Sequence, residues 1–151
     1  MVRYFEKVSR VKDLEFNLPQ RKTMYSAGYD FECIEDIIIP PFKEVKKPTL
    51  VPTGVKAHLC ELDYLMLANR SSNPKKKGLV LANGVGIVDA DYYNNPDNEG
   101  EIAFAFYNIS DEPVKIEKGY CIGQGIIQTY YITDNDDVDL RRTGGFGSTN
   151  K

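Results

Sequence analysis

The feature that most constrains this chain is its punctuation. Short runs rich in β-branched and aromatic residues recur along most of its length, and Gly, Pro, Asn or Asp cuts each one off early. "DIIIP" stops at Pro40-Pro41, "LVPTGVKAHL" alternates around a glycine turn, and "YLMLANR" runs from Tyr64 into the polar "RSSNP". "GLVLANGVGIVD" is apolar and broken by glycines. "GEIAFAFYNIS" puts Ile102, Phe104 and Phe106 on one face and Ala103, Ala105 and Tyr107 on the other. "YCIGQGIIQTYYIT" carries Gly123 and Gly125, which mark bulges or close backbone approaches. Period-two alternation between turn residues is the pattern of half-buried strands. No long segment has a period of 3.6, although "RSSNP" leaves room for a short helical turn after Ser71, and there is no internal repeat. The expectation is an all-β fold, an antiparallel sandwich or barrel. "PPFKE", "NPKKKG", "NNPDNEG", "SDEPVK" and "EKG" read as its turns, and the acidic "TDNDDVD" as a linker to the tail.

Composition narrows what such a fold can serve. The 151 residues suit one domain able to bury a core without staples. The net charge of -3, from 19 basic and 22 acidic residues, argues against generic nucleic-acid binding through a basic footprint. A polyanionic ligand would be held by local positive groups or a metal. Cys33, Cys60 and Cys121 are scattered without a C-x-x-C pair, which argues against a disulfide framework or zinc site and fits a reduced, cytoplasmic setting. The single histidine, His58, reads as a surface or packing residue in a strand. The start "MVRYFEKVSRVKDLEF" has no apolar signal region, and no apolar run approaches the ~20 residues that span a bilayer.

Five stretches hold residues suited to phosphate and base chemistry, each with a plainer reading beside it. In "AGYD" (Ala27 to Asp30) small residues let the backbone come close to something; a turn entering a strand is the plainer reading. In "NRSSNPKKKG" Arg70 offers forked donors, and Ser71, Ser72 and nearby amides form an oxygen-binding nest or, more simply, a polar turn beside a solvated lysine run. In "NGVGIVDADYYNN" Asp89 and Asp91 share one side of a strand and Tyr92 takes the other, unless a turn intervenes. A carboxylate there can activate water, a ring can lie flat on a sugar, and the Asn83 amide can pair with a pyrimidine; a hairpin turn explains the same residues. Gln124, in "GYCIGQGI", aims at a water or phosphate, or merely faces solvent. The tail "RRTGGFGSTNK" is a frayed end or a lid with amides and hydroxyls for phosphates and Phe146 for a base.

Together and in this order, "AGYD", "RSS", "NGVGIVDADY", "GYCIGQ" and "RRTGGFGST" closely resemble the motifs of the homotrimeric deoxyuridine triphosphatases (dUTPases), over about residues 24 to 149. The resemblance implies a jelly-roll-like β subunit, a homotrimer with active sites between subunits, and Mg2+-assisted hydrolysis of dUTP to dUMP and pyrophosphate by water attack on the α-phosphorus. It also implies a role in limiting uracil in DNA and supplying dUMP for dTMP synthesis. By the same resemblance Asp89 orients and deprotonates the water and Gln124 shares it. Asn83 reads uracil with backbone groups of Gly86 and Val88, and Tyr92 packs under the deoxyribose and leaves no room for a 2′-hydroxyl. Arg70, Ser71 and Ser72 contact phosphates, and Asp30 holds the metal's water shell. Residues 1–133 form the β domain, and 134–151 an arm whose Arg141, Phe146, Gly147, Ser148 and Thr149 close over a neighbour's site. Arg141 rather than Arg142 fits the spacing to the glycine pair. Departures are the long "YNNPDNEG" hairpin, Cys121 where a basic residue is usual, Asn69 where proline is common and Asn150 where glycine is usual. The alternatives are a dCTP deaminase, or bifunctional deaminase–dUTPase, of the same fold, and a phage-type dUTPase that binds a regulatory protein through an exposed 94–100 loop.

Overall fold

Eleven strands and two short helices make up the computed structural model, which describes residues 2–140, 142 and 144. The strands are β1 (Tyr4–Lys7), β2 (Tyr29–Glu32), β3 (Ile37–Ile39), β4 (Thr49–Pro52), β5 (Val55–His58), β6 (Asp63–Asn69), β7 (Leu79–Leu81), β8 (Gly86–Asp89), β9 (Ala103–Asn108), β10 (Val114–Ile116) and β11 (Cys121–Thr129). Every strand pair is antiparallel. A four-stranded sheet has the order β2-β11-β6-β8 and a three-stranded sheet the order β4-β9-β7; β1-β5 and β10-β3 are two-stranded ribbons. The all-β expectation therefore holds.

The core lies between the two larger sheets. Phe31 of β2, Leu65 and Leu67 of β6 and Ile122 of β11 share one cluster with Val51 of β4, Leu79 of β7 and Phe104 and Phe106 of β9. Ile102, Phe104 and Phe106 are each buried, as their alternation required. The Phe31 and Phe104 rings meet edge to face at 5.6 Å. Each such side chain contributes about 1.5–3 kcal/mol by leaving water.

Both readings of the β11 glycines hold. The register of β11 on β2 shifts between Cys121 and Gly123, a bulge. A Cβ on Gly123 would stand 2.2 Å from the Phe104 ring, and one on Gly125 would stand 2.9 Å from Leu65 and Phe31. The core presses against the backbone on this side of β11, and Gln124 between the two glycines points the other way.

The turn after Ser71 is a helix, α2 (Ser72–Lys77), closed by Gly78 at φ 64°. Buried Asn73 fixes it: its amide donates to Asn69 Oδ1 and the Ile122 carbonyl, each at 2.9 Å, and its oxygen accepts from the Tyr120 hydroxyl at 2.8 Å. "PPFKE", expected as a turn, winds into the single-turn helix α1 (Phe42–Val45), which ends on Lys46 at φ 52°. His58 is a packing residue, stacked on Tyr4 at 4.7 Å.

The 94–100 segment is only partly the exposed loop expected: Asn94, Pro96 and Asp97 are exposed, but the rest is tied down. Asn95 is buried, Glu99 accepts from the Ser9 amide and hydroxyl, and Lys56 donates to Asn94 at 2.5 Å. Asn and Asp marked turn residues in the sequence, and here the Asn95 and Asn98 side chains bond to backbone groups of the turn.

Asp63, buried at the start of β6, clamps the N-terminal segment to the sheet. Arg3 donates to it at 2.5 and 3.2 Å, and Thr129 and the Cys60 amide donate at 3.0 and 3.1 Å. The Arg3 guanidinium, with the other donors, lowers its carboxyl to about 2 from an ordinary 3.8. A lowered carboxyl adds stability above its unfolded pKa and loses it as pH falls through the folded one. Asp63→Asn should therefore lower the urea midpoint at pH 7, with the gap to the unaltered chain closing between pH 4 and about 2. A gap that stays constant down to pH 2 would exclude the ion pair as its source.

Candidate active site

One group of expected site residues gathers where β8 ends. β8 lies on β6 with Asp89 opposite Tyr64, and the chain leaves the strand at Asp89 into a 3-10 turn, Ala90–Tyr92. The turn replaces the strand alternation expected here, but the separation it implied survives. Asp89 and Asp91 both face one guanidinium, and the Tyr92 ring is buried. Asn83, Gly86, Val88, Asp89 and Tyr92 line a cavity of about 210 Å³ that Arg142 also enters. Burial raises the Tyr92 phenol above its ordinary range.

Arg142, the neighbour of the arginine that spacing selects, contacts both aspartates. Its Nη2 donates to Asp89 at 2.5 Å, its Nε to Asp91 at 3.1 Å, and its backbone amide to Asp91 at 3.3 Å. The doubled arginine was the available signal, but spacing to the glycine pair pointed to Arg141. Arg141, Phe146, Gly147, Ser148 and Thr149 lie outside the described residues.

A second group gathers at the other end of the same sheet. Gln124 of β11 sits opposite Asp30 of β2. The close approach foreseen in "AGYD" is to Gln124: a Cβ on Gly28 would stand 2.1 Å from its Oε1. Gln124 donates to the Asn69 carbonyl at 3.4 Å. Arg70 donates to the Cys121 carbonyl at 3.0 Å, with its guanidinium carbon 5.7 Å from the Tyr120 ring. Ser71 immediately precedes α2, without a side-chain capping bond, and Ser72 begins it. Burial pushes the Cys121 thiol up, with Asp30 adding to the rise and Arg70 opposing it. Tyr120, which also orients Asn73, is a support the sequence did not reveal, because its partners lie far away in the chain.

The two groups do not meet within one chain. Gln124 is opposite Ala68 on β6 while Asp89 is opposite Tyr64 on the other edge of β6. At strand spacings this separates Gln124 from Asp89 by roughly 13 Å along β6 and about 10 Å across it. No single water could touch both side chains.

These features define the class: a mostly antiparallel β protein with a carboxylate-and-ring pocket at one sheet edge and an arginine–serine turn beside the other. A family model described as dUTPase matches residues 14–150. The deoxyuridine 5'-triphosphate nucleotidohydrolase of Lactococcus lactis subsp. lactis is 47% identical over 150 residues, covering 98% of this chain and 97% of that protein. That of Desulfitobacterium hafniense is 36% identical over 91% of this chain and 90% of its own length. The crystal structure of dUTPase from Streptococcus mutans aligns with a TM-score of 0.78 at 42% identity, covering 87% of this chain and 98% of that one. The Staphylococcus bacteriophage 80alpha dUTPase shares the fold at 19% identity, with a TM-score of 0.69 over 93% of this chain and 98% of its own. The chain belongs to the dUTPase family.

The hold on Arg142 should be weak, because both aspartates are about half exposed, at 48% and 49%. Asp91→Asn should speed tryptic cleavage after Arg142 by roughly two- to fivefold, the loss of one exposed pair. An unchanged cleavage rate, followed by mass spectrometry, would mean that Asp91 does not hold the tail.

Proposed function

We infer that the chain works as an enzyme that hydrolyses dUTP to dUMP and pyrophosphate. The observation that carries this is the cavity in which Asn83, Asp89 and Tyr92 converge, within a chain that matches the dUTPase family model almost throughout. In this reading Asp89 orients a water and takes its proton as it attacks the α-phosphorus, a role supported by its half exposure at the end of β8. Gln124 shares that water. Asn83 pairs with uracil alongside backbone groups of Gly86 and Val88, a hydrogen-bond choice that separates uracil from cytosine. The buried Tyr92 ring forms the floor under the deoxyribose. Arg70, Ser71 and Ser72 take the phosphates, held at the β6–α2 junction by Asn73 and Tyr120.

The separation of Asp89 from Gln124 within one chain supports a homotrimer whose sites form between subunits, one copy supplying Asp89 and another Gln124. In this reading residues 134–151 are an arm that closes over a site through Arg141, Phe146, Gly147, Ser148 and Thr149, opening to admit substrate and release product. The residues suit Mg2+ held through water: Asp30 offers one partly exposed carboxylate, and no group of three His, Cys, Asp or Glu forms a cage among the described residues. Bound there with the triphosphate, the ion would neutralise its charge. A cytoplasmic setting is supported by Cys33, Cys60 and Cys121, all free. Among the described residues no helix is long and apolar enough to cross a membrane. The 94–100 segment is bonded into its own chain, and its exposed Asn94, Pro96 and Asp97 are the surface left to the partner-binding alternative.

Pyrophosphate release measured with dUTP, dCTP, dTTP and UTP, with and without Mg2+, should show metal-dependent turnover of dUTP alone. Ammonia release from dCTP at a comparable rate would replace this reading with the deaminase. Asp89→Asn should keep dUTP binding and lose roughly a hundred- to ten-thousandfold in kcat. Asp89→Asn and Gln124→Ala copies, each inactive alone, should regain about a quarter of full activity when refolded together, because a site between subunits can draw one intact residue from each. No recovery would place both residues in the same subunit's site.

A further inference from the structure

The 94–100 hairpin has been given no part in the reaction, yet two of its side chains grip the residue that the functional reading places under the sugar. Asn98 donates from Nδ2 to the Tyr92 hydroxyl at 2.8 Å, and that hydroxyl donates to the Glu101 carbonyl at 2.9 Å. Asn95 donates from Nδ2 to the Tyr92 carbonyl at 2.8 Å. The ring is thus tethered at its far end and at its backbone. Asn98 is itself locked: its Oδ1 accepts from Asn95 Nδ2 at 2.8 Å and from the Gly100 amide at 3.0 Å. Gly100 passes so close beneath, at φ 84°, that a Cβ there would stand 2.5 Å from the Tyr92 carbonyl oxygen.

The hairpin is in turn anchored to distant parts of the chain. Glu99 accepts from Ser9 and from Lys56, and the Glu101 carboxylate accepts from Arg10 and from the Gly54 amide at 2.9 Å. The Tyr92 ring therefore cannot tilt or slide without breaking a bonded frame.

A flat ring excludes an extra hydroxyl only if it cannot yield. One oxygen atom needs little space, and a ring held by apolar packing alone would rock away from it. A ring pinned at its hydroxyl turns that small displacement into broken hydrogen bonds, which are costly inside the protein. We propose that Asn98 is a positioning residue for sugar selection, and that the 94–100 hairpin is a brace that stiffens Tyr92 against ribonucleotides. The proposal rests on the reading that Tyr92 packs against the sugar of dUTP.

The test is the ratio of kcat/KM for dUTP to that for UTP in the full-length enzyme. Asn98→Ala should lower the ratio about tenfold or more, chiefly by raising turnover of UTP. Tyr92→Phe keeps the ring and the hairpin but removes the hydroxyl tether, and it should lower the ratio similarly. The double variant should be no worse than either single one, because both cut the same link. A loss of stability alone would reduce both activities together and leave the ratio untouched. Ratios within twofold of the parent in both single variants would overturn the proposal, and if Asn98→Ala fails to fold, Tyr92→Phe decides it alone. Tyr92→Ala separates the two layers of inference. If it collapses the ratio while Asn98→Ala and Tyr92→Phe do not, only the brace is wrong; if it too leaves the ratio unchanged, the placing of Tyr92 against the sugar falls and takes the brace with it.

Discussion

Pairing on both edges of β6 sets the geometry on which everything else depends. Leu65 and Leu67 point from β6 into the core, while Tyr64, Met66 and Ala68 face the other way. β11 is bonded to one edge of this strand and β8 to the other. A slip of one residue in either ladder would carry a set of apolar side chains out to solvent, so burial fixes the register. That register also fixes where Gln124 and Asp89 stand. Their separation is thus a consequence of core packing.

The β11 glycines show how closely core and chemistry are tied. Phe104 and Leu65 lie so near the backbone of Gly123 and Gly125 that neither position has room for a side chain. The strand can come this close to the core only because it presents bare backbone there. With its neighbours' side chains gone, Gln124 is the one residue of the three that presents chemistry, and it does so on the opposite face. Gly28 clears the space in front of it. What reads in sequence as a glycine-flanked polar residue is in the fold a side chain positioned by the absence of others.

Much of the architecture was legible because it follows from period and punctuation. The alternation through Phe104 and Phe106, the helix start after Ser71 and the bulge in β11 are local facts with local causes. α1 was not legible, since four residues between proline and lysine carry no periodicity to read. The separation of the two groups was not legible in the residues themselves either. Strand order places β2 and β8 at opposite edges, and no local pattern encodes order; only the resemblance implied sites between subunits. The contact made by Arg142 was not legible for a different reason. Spacing identifies a motif position, but the contact with Asp89 and Asp91 depends on how the chain returns to β8, which spacing does not contain.

The asparagines make the limit sharpest. Asn73, Asn95 and Asn108 are buried and spend their amides on the chain's own carbonyls and side chains; Asn108, for instance, joins Ile39 to Glu112 at 2.9 and 2.8 Å. Asn83 is exposed at the mouth of the cavity. In sequence Asn73, Asn83 and Asn95 sit in polar, turn-like surroundings and look alike, while Asn108 ends an apolar strand run. In the fold, burial sorts them, because a buried amide must be satisfied internally and so has no capacity left for a ligand, while an exposed one can exchange water for a base. Asn98 lies between these classes: its amide is spent internally, but on a ring that lines the cavity. If that ring packs against the sugar as proposed, a residue of that kind touches no substrate and still bears on which substrate fits.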